Sequence, residues 1–411
     1  MGYLEFIRQN ARFVAFGLTM TIGSSYGQTF FVGLFGGAIS DELGLSHAGF
    51  GALYSLATLI SGVLIFWVGR LVDLVDLRLF AVAVLVGLGL SAALTGLAET
   101  TLALTIAFFG LRFFGQGLSS HAAMTGMARY FETGRGKALS LTSLGFPIGN
   151  AVWPVMGVAA MAALGWRQAW FLFALTIIVV VVPLCLWFLR GQKARHENWL
   201  KVRHEVAVGV AAPLEWSRKQ VMRDYRYWVV QALNIAGPFF ITGFFFHQVH
   251  IAGEKGWTLE EVALAMAVFA AVSFSTNLAT GWLVDRLTAA RLAWIGAIPL
   301  VLGAAMLALV EGTGSLWFYL LPLGVTAGSG VPIYSSLWAE LYGTANLGAI
   351  KAMNMSLGVG ASAASPFLFG YAFDNGWSVP DVAWTAVVWC VVTTLAVLGI
   401  TRRLQASPQA A

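Results

Sequence analysis

The sequence predicts an all-α integral membrane protein whose twelve spanning helices form two pseudo-symmetric six-helix bundles. Three observations carry this reading: the composition, the length of the apolar runs, and a short string that recurs in each half. Of 411 residues, 58% are apolar and 10% charged, whereas a soluble domain carries about 25% charged residues. The 24 basic and 19 acidic side chains cannot coat a water-solvated chain of this length. The solvent is therefore lipid. The net charge of +5 is spread between apolar runs, which argues against a nucleic-acid partner. Cys185 and Cys390 lie inside apolar runs and are expected as small packing groups, with no cysteine metal site and no disulfide framework.

A bilayer core of about 30 Å needs about 20 apolar residues per spanning helix. Runs of this kind fall near 13–38, 51–69, 79–98, 102–128, 138–163, 169–189, 227–250, 262–284, 292–310, 316–340, 349–373 and 381–401. The first is too long for a signal-peptide core and is followed by another span, so it is read as a helix that stays. The sixth, from Leu172 to Leu189, has no period of two and excludes a β-barrel. Glycines inside the runs, such as Gly33, Gly36, Gly145 and Gly149, point to close helix–helix approach in lipid.

The halves are expected at 1–190 and 227–411, joined by the hydrophilic segment 191–226, read as a basic linker along the membrane surface. Basic residues cluster in alternate loops, leaving only Arg167 and Lys255 in the opposite set and Arg112 within a span. The positive-inside bias then places both termini in the cytoplasm of a cell (inner) membrane. Gly69-Arg70-Leu71-Val72-Asp73 is read as the loop after the second span and Gly281-Trp282-Leu283-Val284-Asp285 as the loop after the eighth, each followed by an arginine, Arg78 or Arg291. An internal repeat of this kind is the architecture in which substrate sits near the midplane between repeats.

These residues resemble the major facilitator superfamily over essentially the whole chain. Leu111-Arg112-Phe113-Phe114-Gly115-Gln116-Gly117 is similar to that superfamily's arginine–glycine motif of the fourth helix. Three further strings resemble its monocarboxylate and oxalate–formate branch: Gly27-Gln28-Thr29-Phe30-Phe31, the segment from Arg129 to Ala138, and Gly165-Trp166-Arg167. The sequence departs from the pattern where Leu74 and Asp76 replace the usual arginine and glycine of the first loop. Gly145-Phe146-Pro147-Ile148-Gly149-Asn150 also lacks the glycine–proline–glycine signature of drug–proton antiporters. Ser273 and Asn277 stand where monocarboxylate carriers have an acid–arginine pair, so that coupling mechanism does not carry over. The resemblance implies that Gly69, Asp73, Arg78, Gly281, Asp285 and Arg291 form gating clusters at one face of the membrane.

The chemistry is read from polar residues that lipid rejects. Arg112 lies about ten residues into its run, near mid-bilayer at ~1.5 Å per residue. An arginine there costs several kcal/mol unless it faces a cavity or a partner. No Asp or Glu occupies the middle of a span, so the missing counter-charge is expected from an anionic substrate; the alternative is a structural arginine bonded to backbone. Gln116 and Ser119 are expected on Arg112's face, four and seven residues on. His121 is expected in a packing hydrogen bond. Polar stripes elsewhere add Tyr26, Gln28, Asn150, Trp153, Gln231, Asn234, Asn277, Tyr334 and Asn354 as candidate substrate contacts, against interhelical bonding as the alternative. Lys351 is expected as an interfacial anchor. His247 and His250 close the seventh run, as neutral loop-end groups or as a pH-sensitive gate. The methionine pairs Met124 and Met127, and Met353 and Met355, give no full metal-ligand set.

The expected function is secondary transport of a small organic anion, a mono- or dicarboxylate, by alternating access. The partners are that substrate, a coupling proton and the bilayer; the chain is expected to be a monomer, without cofactor or metal. A carrier of a neutral or larger metabolite, and a non-transporting sensor or channel, are the alternatives. No catalytic constellation and no phosphate-binding loop support an enzyme or an ATP-driven pump. If Asp73 latches the gate, Asp73→Asn lowers the initial uptake rate without altering substrate selectivity. Equal uptake at equal expression would refute the latch.

Overall fold

The computed structural model describes residues 3–69, 71–131, 135–192, 216–312, 314–343 and 347–405. Most of the expected linker, and the side chains of Asp73 and Asp285, lie outside the described residues. The described residues hold helices and no strand, arranged as twelve rods. In the first half, α1 runs from Tyr3–Gly23 through a 3-10 turn, Ser24–Gly27, into Thr29–Leu34 and Gly36–Leu43. Next come α2, His47–Val68, and α3, Leu77–Leu97. The fourth rod, α4, starts as Thr101–Gly110 and continues through a π-helical stretch, Leu111–Ser119, into Ser120–Tyr130. Two segments, Arg135–Ser143 and Gly145–Leu164, form α5. Trp166–Thr176, the π stretch Ile177–Val181 and Val182–Phe188 form α6.

In the second half, α7 comprises Tyr225–Asn234, the π stretch Gly237–Ile241 and Thr242–Phe246. It is followed by α8, Leu259–Leu287; α9, Ile298–Leu309; α10, Ser315–Tyr342; α11, Leu347–Asp374; and α12, Val379–Gln405. The chain divides into two compact units, Met1–Leu45 with Ala52–Gly209, and Ser46–Gly51 with Val210–Ala411. The first turn of α2 thus belongs with the second unit.

Local sequence explains the ends of these rods. Asp76 caps α3 by accepting from the Arg78 amide at 2.8 Å. Thr258 and Glu261 form a capping box at the start of α8. Gly165 separates α5 from α6 at φ +81°, a backbone region in which a side chain would be strained. Large apolar side chains lie on the outside, as at Leu79, Leu90 and Val388, as well as in the interior, as at Leu85, Leu88 and Leu323. A lipid solvent allows both.

Nine described helices are long and apolar enough to cross a membrane. The three expected spans that do not qualify have physical reasons. The first is broken at Gln28 and Phe35. The ninth is regular only over the 12 residues of Ile298–Leu309, and α11 carries the polar series Lys351, Asn354, Ser356, Ser362 and Ser365. The seventh expected span, 227–250, is shorter than predicted. It ends at Phe246, because His247 leaves helical geometry (φ −95°, ψ 20°) before a separate helix, Gln248–Lys255, begins.

The repeated string folds differently in its two copies. In the first, Gly69 follows the end of α2 and residues 71–73 lie in the short helix Leu71–Leu74, whereas the second, expected as a loop, continues inside α8, because the helix runs on to Leu287. A carboxylate then organises the turn after α8: Glu340 accepts from the Ala289 and Ala290 amides at 2.7 and 3.0 Å. These are charge-assisted bonds to the orphan donors of a helix start. Glu340→Ala is expected to cost about 1–2 kcal/mol, read as a lower melting temperature of the purified protein. An unchanged melting temperature would deny the carboxylate this role.

Candidate substrate site

The first unit is organised around the break in α1. Gln28 is extended (φ −80°, ψ 148°), so the Phe31 amide bonds Gln28 O at 3.1 Å instead of reaching Gly27 O. The freed Gly27 carbonyl accepts from Arg112 Nη1 at 3.2 Å. The same nitrogen lies 3.4 Å from Thr29 Oγ1. Thr29 in turn accepts from the Tyr54 hydroxyl at 2.9 Å, and the guanidinium lies over the Tyr54 ring, 5.1 Å from its centroid. Arg112 is 5% exposed. Among the described residues no carboxylate comes within ion-pair distance of it.

Glycine makes this approach close enough. A Cβ on Gly27 would meet Leu111 O and come within 2.7 Å of the Gln116 amide nitrogen. A Cβ on Gly115 would lie 3.0 Å from Gly27 Cα. The π stretch of α4 therefore packs backbone to backbone against the break in α1. Widened turns of this kind concentrate at functional sites.

The candidates of this half divide into three sets. Ser119 Oγ donates to Met20 O at 2.7 Å, seven residues from Gly27 along α1 as Ser119 is from Arg112 along α4. Both therefore face α1, as the helical spacing predicts. Tyr26 packs on Trp153 with ring centroids 4.3 Å apart, and Trp153 Nε1 donates to Ile22 O at 3.1 Å. The Tyr26 hydroxyl is buried without a hydrogen-bond partner. Gln28, Gln116 and Asn150 are half-buried. Thr29 and Tyr54 were not among the candidates, although Thr29 stands inside the Gly27–Phe31 string.

In the second unit, α7 and α11 share a polar seam. Asn234 Nδ2 donates to Asn354 Oδ1 at 2.7 Å and lies 3.5 Å from Gln231 Oε1. Gln231 is 2% exposed and its Nε2 donor has no partner. Further along, Thr242 meets Ser362 at 3.0 Å and Ser365 donates to Phe239 O at 2.6 Å. The hydroxyls of the stripe hold helices together, while the amides keep a spare donor. Asn277 and Tyr334 are placed elsewhere: Asn277 donates to Gly328 O at 3.2 Å, and the Tyr334 hydroxyl lies 3.5 Å from Ala293 O.

Of the expected gating residues, Arg78 pairs with Asp76 at 3.0 Å, which gives a use to the aspartate that departs from the family's loop pattern. Gly69 O lies 3.0 Å from His121 Nε2, the packing bond expected of that histidine. No atom lies within 4 Å of a Cβ placed on Gly281, and Arg291 is exposed. A groove of about 830 Å³ along α12 is lined by Trp377, Trp384 and Trp389 among others. None of the candidate residues borders it. Both cysteines are free and buried, and no cluster of metal ligands occurs among the described residues.

A helical membrane bundle with broken helices and buried polar contacts at its first and seventh rods defines a carrier, not an enzyme. The family model of the Major Facilitator Superfamily matches residues 17–366. The chain belongs to that superfamily, and it is a multi-pass membrane protein and secondary transporter. A comparison with curated protein sequences finds no match. Among solved structures, the chain is similar to a bacterial homologue of the human lysosomal transporter Spinster in its inward-facing, occupied form. That match has TM-score 0.70 and 14% identity, covering 96% of this chain and 97% of the other. The unoccupied form of that homologue matches with TM-score 0.70, 16% identity, and coverage of 95% and 97%. At such identity the likeness shows the fold alone.

Gly27→Ala is expected to push the α1 break away from α4 and to cost about 1–3 kcal/mol, as overpacking does. The readout is a lowered melting temperature. A variant as stable as the parent would show that the backbone contact tolerates a methyl group.

Proposed function

We propose that the protein carries a small organic anion, a mono- or dicarboxylate, by alternating access, with Arg112 supplying the positive charge that binds it. One observation supports this reading above the others: Arg112 is buried at the α1 break with neutral acceptors and an aromatic face, and no described carboxylate balances it. A guanidinium in such a place binds carboxylates well, because its planar donors match them. Within the second unit, the unpaired Gln231 Nε2 beside Asn234 and Asn354 is a neutral donor of its own. Tyr26, Gln28, Gln116, Asn150 and Trp153 are the further contacts proposed in the first unit.

The two bodies are 1–190 and 227–411, joined by a basic linker at 191–226, in a monomer with both termini cytoplasmic. A proton travels with the substrate as its coupling ion, since no acid lies midway in a span.

A second reading is favoured by the bond from Nη1 to Gly27 O. In it Arg112 serves only to hold the broken helix, and the cargo is neutral or larger. Thermal stabilisation of the purified protein by a panel of mono- and dicarboxylates separates the two. The anion reading expects a carboxylate that raises the melting temperature and loses that effect in Arg112→Gln, with affinity about 30-fold weaker or more, roughly 2 kcal/mol. A shift that survives in the variant supports the scaffold reading and overturns the anion one.

A further inference from the structure

Three histidines that the transport site does not use meet at one end of the second unit. His47 opens α2, His247 stands at the break after α7, and His250 lies in the helix that follows. The His47 and His250 rings are in contact at 4.4 Å between centroids, and His47 and His247 lie 6.0 Å apart. All three pack on Phe373. His247 is 4% exposed, with its Nε2 held 2.8 Å from Pro366 O. His250 Nε2 is buried with no hydrogen-bond partner, 3.8 Å from a Glu254 oxygen.

The segment Ser46–Gly51 is seated here with close tolerances. Asp374 accepts from the His47 and Ala48 amides at 3.1 and 2.8 Å. A Cβ on Gly51 would meet the Pro366 carbonyl, and one on Gly370 would meet the His47 carbonyl. Both glycines are therefore required for α2's first turn to lie against α11. Phe50 stacks on Phe246 at 4.8 Å. Asp374 spends both oxygens on capping α2, whereas Glu254 accepts from the Val379 amide at 2.9 Å through one oxygen and keeps the other near His250.

We propose that His47, His247 and His250 form a proton-binding site that holds the turn 46–51 in its seat when neutral and releases it when protonated. His47 is in ring contact with both His247 and His250, Asp374 is committed to backbone amides, and a single Glu254 oxygen is left to offset added positive charge on three imidazoles. The charged groups that face the cluster from the packed elements are Glu254 from the 248–255 helix and Asp374 from α11, with His47 from α2.

The direction follows from linkage. Burial pulls His247 down to about 3, and burial lowers His250 as well. At these two positions the seated state thus binds fewer protons than the released state, where an imidazole takes its ordinary value near 6.5. Seating is strongest above that pH and weakens as pH falls below it, by up to about tenfold per pH unit for each of these two histidines. As part of a carrier, which is how the family reading enters, the site would tie one step of the cycle to pH. No intramembrane acid is needed for that.

Hydrogen exchange of the full chain in lipid nanodiscs tests the proposal without substrate or transport, so its failure is separate from failure of the anion reading. After correction for intrinsic exchange, protection of amides in 46–51 is expected to fall at least tenfold between pH 6.5 and 5.5, while α3 stays unchanged. In the double variant His247→Gln with His250→Gln, which removes the two histidines that burial lowers, the pH dependence is expected to shrink by a factor of ten or more. In Asp374→Asn, protection is expected to fall at every pH with the slope retained. A wild-type protection that does not change with pH, a double variant that keeps the slope, or an Asp374→Asn variant that loses it would each overturn the proposal. The wild-type titration decides alone if the double variant does not fold.

Discussion

The first half depends on a carbonyl that its own helix has abandoned. In lipid no water satisfies a backbone group freed by a helix break, so a break persists only where protein supplies the partner. Gln28 leaves the helix, the Phe31 amide follows Gln28 O, and Gly27 O is left to accept from Arg112. The arginine and the break stabilise each other: the break needs a donor, and the guanidinium needs acceptors in a place where its hydration is gone. Gly27 and Gly115 let the two backbones come close enough for the exchange. The π stretch over Leu111–Ser119 is the complement on the other side, where α4 widens along the same contact.

The second half solves a similar problem with different chemistry. Its first rod, α7, is also irregular at mid-length, where Pro238 brings no amide hydrogen and a π stretch follows. Here the partners are neutral. Asn354, Ser362 and Ser365 of α11 meet Asn234, Thr242 and Phe239 O of α7. Two bodies of common design thus carry one cationic and one amide-lined contact at their first helices. Asymmetry of this kind is how an internal repeat acquires specificity without losing its shared scaffold.

Much of the architecture was legible because lipid imposes a simple rule on length and hydrophobicity, and the G-x-L-V-D string marked the repeat. Arg112 stood out because a mid-span guanidinium is expensive wherever it occurs. What could not be read was register. Nothing in the spacing of Gly23, Gly27 and Gly33 says which glycine precedes a break, and the usual angle per residue ignores a π stretch. Thr29 and Tyr54 escaped notice for that reason, since their relation to Arg112 exists only once Gln28 is extended. The seventh span was drawn too long because His247 and His250 follow an apolar run without an intervening charge. The hydroxyl stripes were ambiguous in principle: a serine facing a neighbouring helix and one facing a cavity have the same spacing.

The two proposals place charge management at different ends of the same logic. At the α1 break a permanent cation sits without a described counter-charge, so the missing balance is assigned to cargo. At the turn 46–51 three neutral imidazoles sit where a charge is penalised, so the missing occupant is a proton. Arginine cannot release its proton in this range, and histidine can. A fixed charge therefore suits recognition of an anion, and a titratable cluster suits timing. The two proposed functions fall on separate residues: Arg112 belongs to the first compact unit, whereas His47, His247 and His250 belong to the second. Separating them lets the affinity for cargo and the pH response vary independently, which a single shared acid–base pair within one span would forbid.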